Sequence, residues 1–344
     1  MSNDKIINEF ELLISELKNK SSDKSLPKSD ITKINFKIKH FKNAVNIIKI
    51  FPKKITKGDD LKDISGIGKG IISRIDEIIK NKKLSEINRN EIKKITKKQD
   101  IIEELSKVIN IGSKIAKQLI DEYDIKSVND LKNKIKQNKI QVNDKIKMGL
   151  KYHGVFKDKI PRSEIDTYNN LLQNIIKKYD PNLIFIIAGS YRRQKNYSND
   201  IDILLSHKKI KTDSEYSKSK INYLTEIIKL FKKNKIIVDD LTDTDNGTKY
   251  MGFSKLPKKP VRRMDIRFVP NMYFHSALLY FTGSYELNTQ MRQIAKNKGY
   301  KLNEYGLFKI KSDGTFSSKP LKVNSEKDIF KKLDLDYLEP NQRG

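Results

Sequence analysis

The chain has 344 residues, with 71 Lys and Arg against 43 Asp and Glu, a formal charge of +28. It has no Cys and only four His, which excludes disulfides, zinc–thiolate centres, cysteine nucleophiles and a histidine-rich metal site. No window holds 18 consecutive apolar residues and positions 1–30 lack a signal peptide's apolar core, so an intracellular protein that does not enter membranes is expected. The positive charge favours a polyanion, with nucleic acid the leading candidate and an anionic membrane admissible on charge alone. Part of the lysine excess reflects an Ile-Lys-Asn bias of the kind an AT-rich genome imposes.

Residues 1–20 carry an apolar stripe (Ile6, Ile7, Phe10, Leu12, Leu13, Leu17) that predicts a helix. A polar linker at 21–30 contains Pro27. A second helix is expected over 31–50, with Ile38, Phe41, Val45 and Ile48 inward, ended by Pro52. The segments LKDISGIGKGIISRIDEII (61–79) and LSKVINIGSKIAKQLI (105–120) are two copies of one unit at a spacing of 44: helix, tight turn, helix. The chain stays helical and basic to about residue 160.

After Pro161 the texture changes. A helix is expected at 163–178, then strands at LIFIIA (183–188), IDILL (201–205), IIV (236–238) and MDIRF (264–268). Strands separated by helices predict a mixed sheet with helical cover. Between Met251 and Arg262, residues 252–261 (GFSKLPKKPV) read as a short basic loop. From 270 a smaller α+β unit follows, and the last five residues read as a frayed tail. The fold class is therefore α+β: a helical N-terminal domain (1–92), a second helical subdomain (93–160), a mixed-sheet domain (161–269) and a small C-terminal α+β subdomain (270–344).

In the first repeat Gly66 and Gly68 flank Ile67, and Lys69 and Gly70 open the next helix. In the second, Asn110 stands at the first glycine position, followed by Ile111, Gly112 and Lys114. Glycine permits the tight turn, and Asn tolerates a left-handed conformation better than most residues. The helix N-termini offer free N–H groups to phosphate.

The segment AGSYRRQKNYSNDIDILL (188–205) carries the strongest chemistry. Asp200 and Asp202 are two apart on a strand, so their carboxylates share one face. Asp265 and Arg267 share a face of a second strand, with Met264, Ile266 and Phe268 opposite. Three such carboxylates repel one another unless divalent cations sit between them. Oxygen ligands select Mg²⁺, and two ions about 3.5–4 Å apart suit in-line nucleotidyl transfer. Gly189 and Ser190 place an N–H and a hydroxyl near a terminal phosphate, with Arg193 adding charge.

With these motifs, KIPRSEI (159–165), RRMDIR (262–267), LLYFTGSYELNTQMR (278–292) and NEYGL (303–307), the chain resembles family X DNA polymerases of the DNA polymerase beta type from about residue 5 onward. Its two repeats resemble helix-hairpin-helix modules. That resemblance implies Na⁺ or K⁺ on the carbonyls of Lys62, Ile64 and Ile67, and on those of Ser106, Val108 and Ile111, each ion bridging to a DNA phosphate. It implies two Mg²⁺ ions, replaceable by Mn²⁺, on Asp200, Asp202 and Asp265, with Asp265 accepting the primer hydroxyl proton. Ser190, Arg193 and Lys159 resemble triphosphate ligands. Tyr280, Phe281 and Gly283 resemble the segment facing the incoming sugar. Asn288 and Arg292 resemble minor-groove contacts, Arg263 a restraint on Asp265, and Arg267 a control of closure. Lys37, Gly66, Gly68, Lys69, Gly112 and Lys114 resemble contacts to the DNA backbone.

The implied substrates are dNTPs and gapped or nicked DNA with a 5′ phosphate, filled without proofreading in base excision repair. A ligase would act downstream, and a monomer is expected. The resemblance admits a large DNA virus as the source, hence host cytoplasm or virion, or the nucleus for a cellular eukaryote. No BRCT-like extension is expected ahead of the hairpins. One departure bears on a second activity. Relatives that remove a 5′-deoxyribose phosphate use a lysine amine, and Arg74 stands at the matching position, with Gly70 and Glu86 replacing supporting lysines. Weak or absent lyase activity is expected. Tyr285 also replaces an acid near the incoming base. A template-independent terminal transferase and a catalytically inactive DNA-binding protein are the alternatives.

Overall fold

The computed structural model describes residues 3–23, 25–155, 158–242 and 247–344. They form two compact units, Met1–Leu150 and Lys151–Gly344.

The first unit is helical: α1 (Asp4–Ser21), α2 (Lys28–Ile50), a 3₁₀ turn (Gly58–Leu61), α3 (Lys69–Asn81), α4 (Arg89–Ser106), α5 (Ser113–Tyr123), α6 (Val128–Lys136) and α7 (Asp144–Tyr152), whose last residues belong to the second unit. Helix α2 starts three residues earlier than its periodicity predicts. Pro27 stands at its N-cap, where a fixed φ of −57° leads directly into the helix. The unit has two separate cores. One gathers Phe10, Phe41, Ile48, Leu61, Ile75 and Ile78; the other gathers Leu105, Val108, Ala116, Ile125 and Leu131. Each fully buried Leu, Ile or Phe contributes about 1.5–3 kcal/mol.

In the second unit come β1 (Ile160–Pro161), α8 (Arg162–Tyr179), β2 (Leu183–Ile187), α9 (Gly189–Arg192), β3 (Tyr197–Ser198), β4 (Ile201–His207), α10 (Asp213–Lys218), α11 (Tyr223–Lys233), β5 (Ile237–Asp240), β6 (Lys249–Lys255) and β7 (Val261–Phe268). A 3₁₀ turn (Asn271–Tyr273) leads to α12 (Phe274–Thr282), α13 (Tyr285–Asn297), β8 (Tyr300–Asn303), β9 (Gly306–Lys309), α14 (Glu326–Lys332) and a final 3₁₀ turn (Pro340–Gln342). The five-stranded sheet has the order β2-β4-β7-β6-β5, antiparallel except for the parallel β4–β7 pair. Ile201, Ile203, Leu205, Met264, Ile266 and Phe268 pack with α8 and α11 residues in the main core. Leu204 packs on the opposite face with Phe274, Ala277 and Leu278 of α12.

Two expectations are corrected. Residues 252–261 are not all loop: Lys249–Lys255 is a central strand paired to β7, and only 256–260 turn between them. Its backbone bonds are satisfied on both edges, which outweighs a composition poor in strand formers. Nor is 340–344 a frayed tail. Arg343 is 1% exposed and bonds Glu326 at 2.7 Å and the Leu338 carbonyl at 2.9 Å. The first hairpin's leading helix is a short 3₁₀ turn. A Cβ at Gly58 would lie 2.4 Å from the Ile72 carbonyl oxygen, so the turn packs backbone against α3.

Candidate active site

The parallel pairing of β4 and β7 sets Asp202 directly opposite Asp265. Asp200 immediately precedes β4, two residues before Asp202, just outside the strand. The alternation along β7 leaves Arg263, Asp265 and Arg267 half-buried between buried Arg262, Met264, Ile266 and Phe268. Behind Asp202, the Ala188 N–H donates to the Asp202 carbonyl at 2.8 Å, so β2 delivers the Gly189–Ser190 turn onto the carboxylates. Gly189 has φ +55°, and a Cβ there would stand 2.4 Å from Asp202 Oδ2. Glycine is required here on both counts.

Electrostatics follow from this crowding. Burial, then Asp200 and Asp265, push the Asp202 carboxyl up to about 7. Burial and the charge of Asp265 also raise Asp200. Arg263 opposes both and grips Asp265, with Nε 3.2 Å from Oδ1 and Nη2 2.8 Å from Oδ2. Among the described residues no three acidic or imidazole side chains converge closely enough to hold an ion as they stand. The donor set nevertheless fits divalent cations. Asp200 and Asp202, half-buried and crowded by like charge, resist ionisation, and a hard cation would supply the positive charge they lack.

The residues expected to meet the triphosphate are held from several elements. The Ser190 hydroxyl bonds the Ser198 hydroxyl at 2.7 Å. Arg193 donates to the Thr282 carbonyl at 2.5 Å, and burial lowers its pKa. Gly283 follows with φ +74°, where a Cβ would meet Arg193 Nη1 at 3.0 Å. Asn288 donates to the Tyr280 carbonyl at 2.8 Å, and Arg292 lies 5.3 Å over the Tyr280 ring. Arg267 donates to the Tyr305 hydroxyl at 2.5 Å. A cavity of about 190 Å³ joins Asp202, Asp265, Arg267, Tyr280, Phe281 and Glu304. Lys159 is exposed and touches none of these groups in the bonds observed, and Tyr285 is 78% exposed.

Sequence reasoning missed three supports. Glu164 and Arg262 form a buried two-bond pair at 2.8 and 2.9 Å that fixes the start of α8 beside β7. Glu326 takes bonds from both Arg192 and Arg343. Arg162 donates to the Tyr191 carbonyl at 2.8 Å and steadies α9. The first was visible as an unexplained Glu and Arg inside the motifs KIPRSEI and RRMDIR. The second joins residues 134 and 17 positions apart and left no local signal.

In the first unit the hairpin turns take the required conformations. Gly66 has φ +94° and Asn110 φ +68°. Gly68 and Gly112 are the N-caps of α3 and α5, and a Cβ built on either has no atom within 4 Å, so the backbone there is open. Lys69 and Lys114 are exposed beside them, as is Lys37 on α2. The Ile64 and Val108 carbonyls each accept one N–H at 3.0 Å, from Ile67 and Ile111. At the second turn the buried Ser106 hydroxyl has no partner, an orphaned polar atom that suits a nearby ion. Near the first, Arg74 donates to Glu86 at 2.5 and 3.0 Å and to the Gly70 carbonyl at 2.8 Å, over the Phe41 ring at 5.1 Å.

Comparison with known proteins agrees with these observations. Residues 159–271 match the DNA polymerase beta palm, 277–344 the DNA polymerase beta thumb and 1–84 a helix-hairpin-helix domain. DNA polymerase lambda of Arabidopsis thaliana is 31% identical, over 88% of this chain and 56% of its own length. DNA polymerase lambda of Rattus norvegicus is 29% identical, over 88% and 52%. DNA nucleotidylexotransferase of Xenopus laevis is 27% identical, over 88% and 63%. The chain thus spans little more than half the length of these relatives.

Proposed function

We propose, from the premise that this chain has the family X DNA polymerase fold of helix-hairpin-helix domain, palm and thumb, that it is a template-directed DNA polymerase that fills short gaps. The observation that carries the reading is the register of Asp202 against Asp265 on parallel strands, with Asp200 and the Gly189–Ser190 turn beside them. Asp200, Asp202 and Asp265 would hold two divalent ions, which would supply Lewis-acid activation of the primer hydroxyl and neutralise charge on the triphosphate. Asp265 takes the proton of the primer 3′-OH after Arg263 lets it go. Ser190 and Arg193 hold the triphosphate, with Lys159 reaching the same phosphates from its exposed position. Tyr280, Phe281 and Gly283 face the sugar; Asn288 and Arg292 reach the nascent pair and template.

The first unit grips the DNA backbone on either side of the gap through its two hairpins, whose turn carbonyls would hold Na⁺ or K⁺. Such contacts position the enzyme and read no sequence. Its Arg74 cluster binds without cutting sugar, because a guanidinium stays protonated and forms no Schiff base. The product is a nick, the substrate of a ligase.

The test is extension of a labelled primer across a one-nucleotide gap with a downstream 5′ phosphate, each dNTP supplied separately with Mg²⁺. Addition of the matched base alone, lost in Asp265→Ala, is expected. Addition regardless of template would make the chain a terminal transferase. No addition by folded protein that still binds gapped DNA would leave a DNA-binding module.

A further inference from the structure

The thumb carries a second concavity, larger than the one beside the carboxylates. Strand β8, helix α13 and the hairpin end at 310–317 enclose about 630 Å³. That volume suits a nucleotide-sized ligand. Its walls bring together Arg292, Lys296 and Lys301 with the rings of Tyr280, Tyr300 and Phe316, against one acid, Glu304. Lys301 Nζ stands 4.1 Å from the centre of the Phe316 ring, and Arg292 is 5.3 Å from that of Tyr280. Phe316 nevertheless remains 43% exposed. The hairpin that presents it is well built: Lys311 N–H bonds the Thr315 carbonyl at 2.8 Å, and Ile310 bridges Phe316. An open aromatic ring on an ordered turn, ringed by cations, has no evident role in the thumb's own core.

We infer that this groove is a binding site for an unpaired nucleotide of a nucleic-acid strand, with the base on Phe316 and the backbone phosphates on Lys296 and Lys301. Alternating rings and cations are the chemistry of sequence-tolerant single-strand binding, since every base has a stackable face and every nucleotide a phosphate. Tyr280 and Glu304 line both this groove and the carboxylate cavity, so a strand could run from one to the other. The inference rests on the polymerase reading only for its biological use: the strand would be unpaired template.

The probe is a fluorescein-labelled thymidine oligonucleotide, paired with an abasic oligonucleotide of equal length. Both carry the same phosphates, so their affinity ratio isolates stacking from the chain's general positive charge. The intact chain should favour thymidine by about tenfold. Phe316→Ala should erase most of that preference, and Phe316→Tyr should keep it. Lys301→Glu, at an exposed site on β8, should weaken both oligonucleotides together. One-nucleotide gap filling should be unchanged in Phe316→Ala, which also shows that the thumb is folded. A preference that survives Phe316→Ala, or a parent that binds both probes equally, overturns the groove. A parent that keeps the Phe316-dependent preference yet fills no gap overturns the polymerase reading instead.

Discussion

Arg343 donates from Nη1 to Glu326 Oε1 across 2.7 Å, and both side chains are almost closed to solvent. Glu326 also accepts from Arg192 at 2.6 and 3.0 Å, and Arg192 shares its short helix with Ser190. Residue 343 is thus tied through one carboxylate to the helix that carries Ser190. Arg192 extends the tie to the Thr282 hydroxyl at 2.6 Å, while Arg193 takes the carbonyl of the same residue.

Removing one partner of a buried ion pair costs about 3–5 kcal/mol, because the other charge is stranded. Glu326→Gln should lower the urea midpoint and speed hydrogen exchange in α14 by an amount in that range. The pH dependence has a definite sign. Burial alone would raise the Glu326 pKa, but the bonds from Arg192 and Arg343 bring it below 4.5. Its stabilisation is therefore fully present above about 4.5 and is lost as pH falls through the lower folded value. The acid limb of the stability curve should flatten in Glu326→Gln; an unchanged limb would deny the carboxylate this role.

Asp202 behaves oppositely. Its folded pKa of about 7 lies far above the ordinary 3.8. The metal-free protein loses stability as pH rises from 3.8 to about 7, where the unfolded chain ionises first. Asp202→Asn should raise stability at pH 7 without added metal by on the order of 1 kcal/mol or more. It should also cut nucleotidyl transfer about 10³-fold, the scale of several kcal/mol of lost transition-state stabilisation. A variant both less stable and inactive would point to a structural defect.

Arg263 bonds both oxygens of Asp265, so on the proposed function it would compete with a cation for that carboxylate. Hydrogen bonds to charged groups contribute about 1.5–3 kcal/mol. Arg263→Ala should therefore lower the Mg²⁺ concentration giving half-maximal gap filling by about tenfold. Titrating Mg²⁺ at fixed DNA and dNTP measures it, and a shift to higher Mg²⁺ would reverse the argument.

Arg74→Lys alone should not create a lyase. Glu86 would pair with the new ammonium and keep it protonated, whereas a Schiff base needs the free amine. Arg74→Lys with Glu86→Lys removes that pairing. Borohydride trapping on incised abasic DNA should give more adduct with the double variant than with the single one. Strong trapping by the parent would show another lysine at work.

At the second hairpin, Asn110 holds φ +68° and donates to the Lys145 carbonyl at 3.0 Å. Asn110→Gly should retain the turn, while Asn110→Val should cost about 1–2 kcal/mol and weaken DNA binding. Equal stability of the two, by thermal unfolding of the full chain, would remove the conformational argument.

Much of this was legible along the chain because the signals are local. Strand alternation announces which way Asp202, Asp265 and Arg267 face, and the 44-residue repeat announces two turns that need left-handed residues. Both depend on backbone geometry within a few residues, which side-chain type reports directly. Phe253 and Ser254 on β6 fall in a segment that reads as a basic loop; their pairing with β7 overrides that local signal.

The inventory can be read along the chain: three carboxylates, a Gly-Ser turn, two hairpins and an arginine where a lyase needs lysine. Only the tertiary structure decided the pairings. Register set Asp202 against Asp265, Arg263 took up Asp265, Glu86 closed on Arg74, and Glu326 drew in Arg192 and Arg343. A charged side chain has many possible partners in a chain this rich in lysine and arginine. Which one it meets is settled by burial, where an unpaired charge is too costly to leave alone.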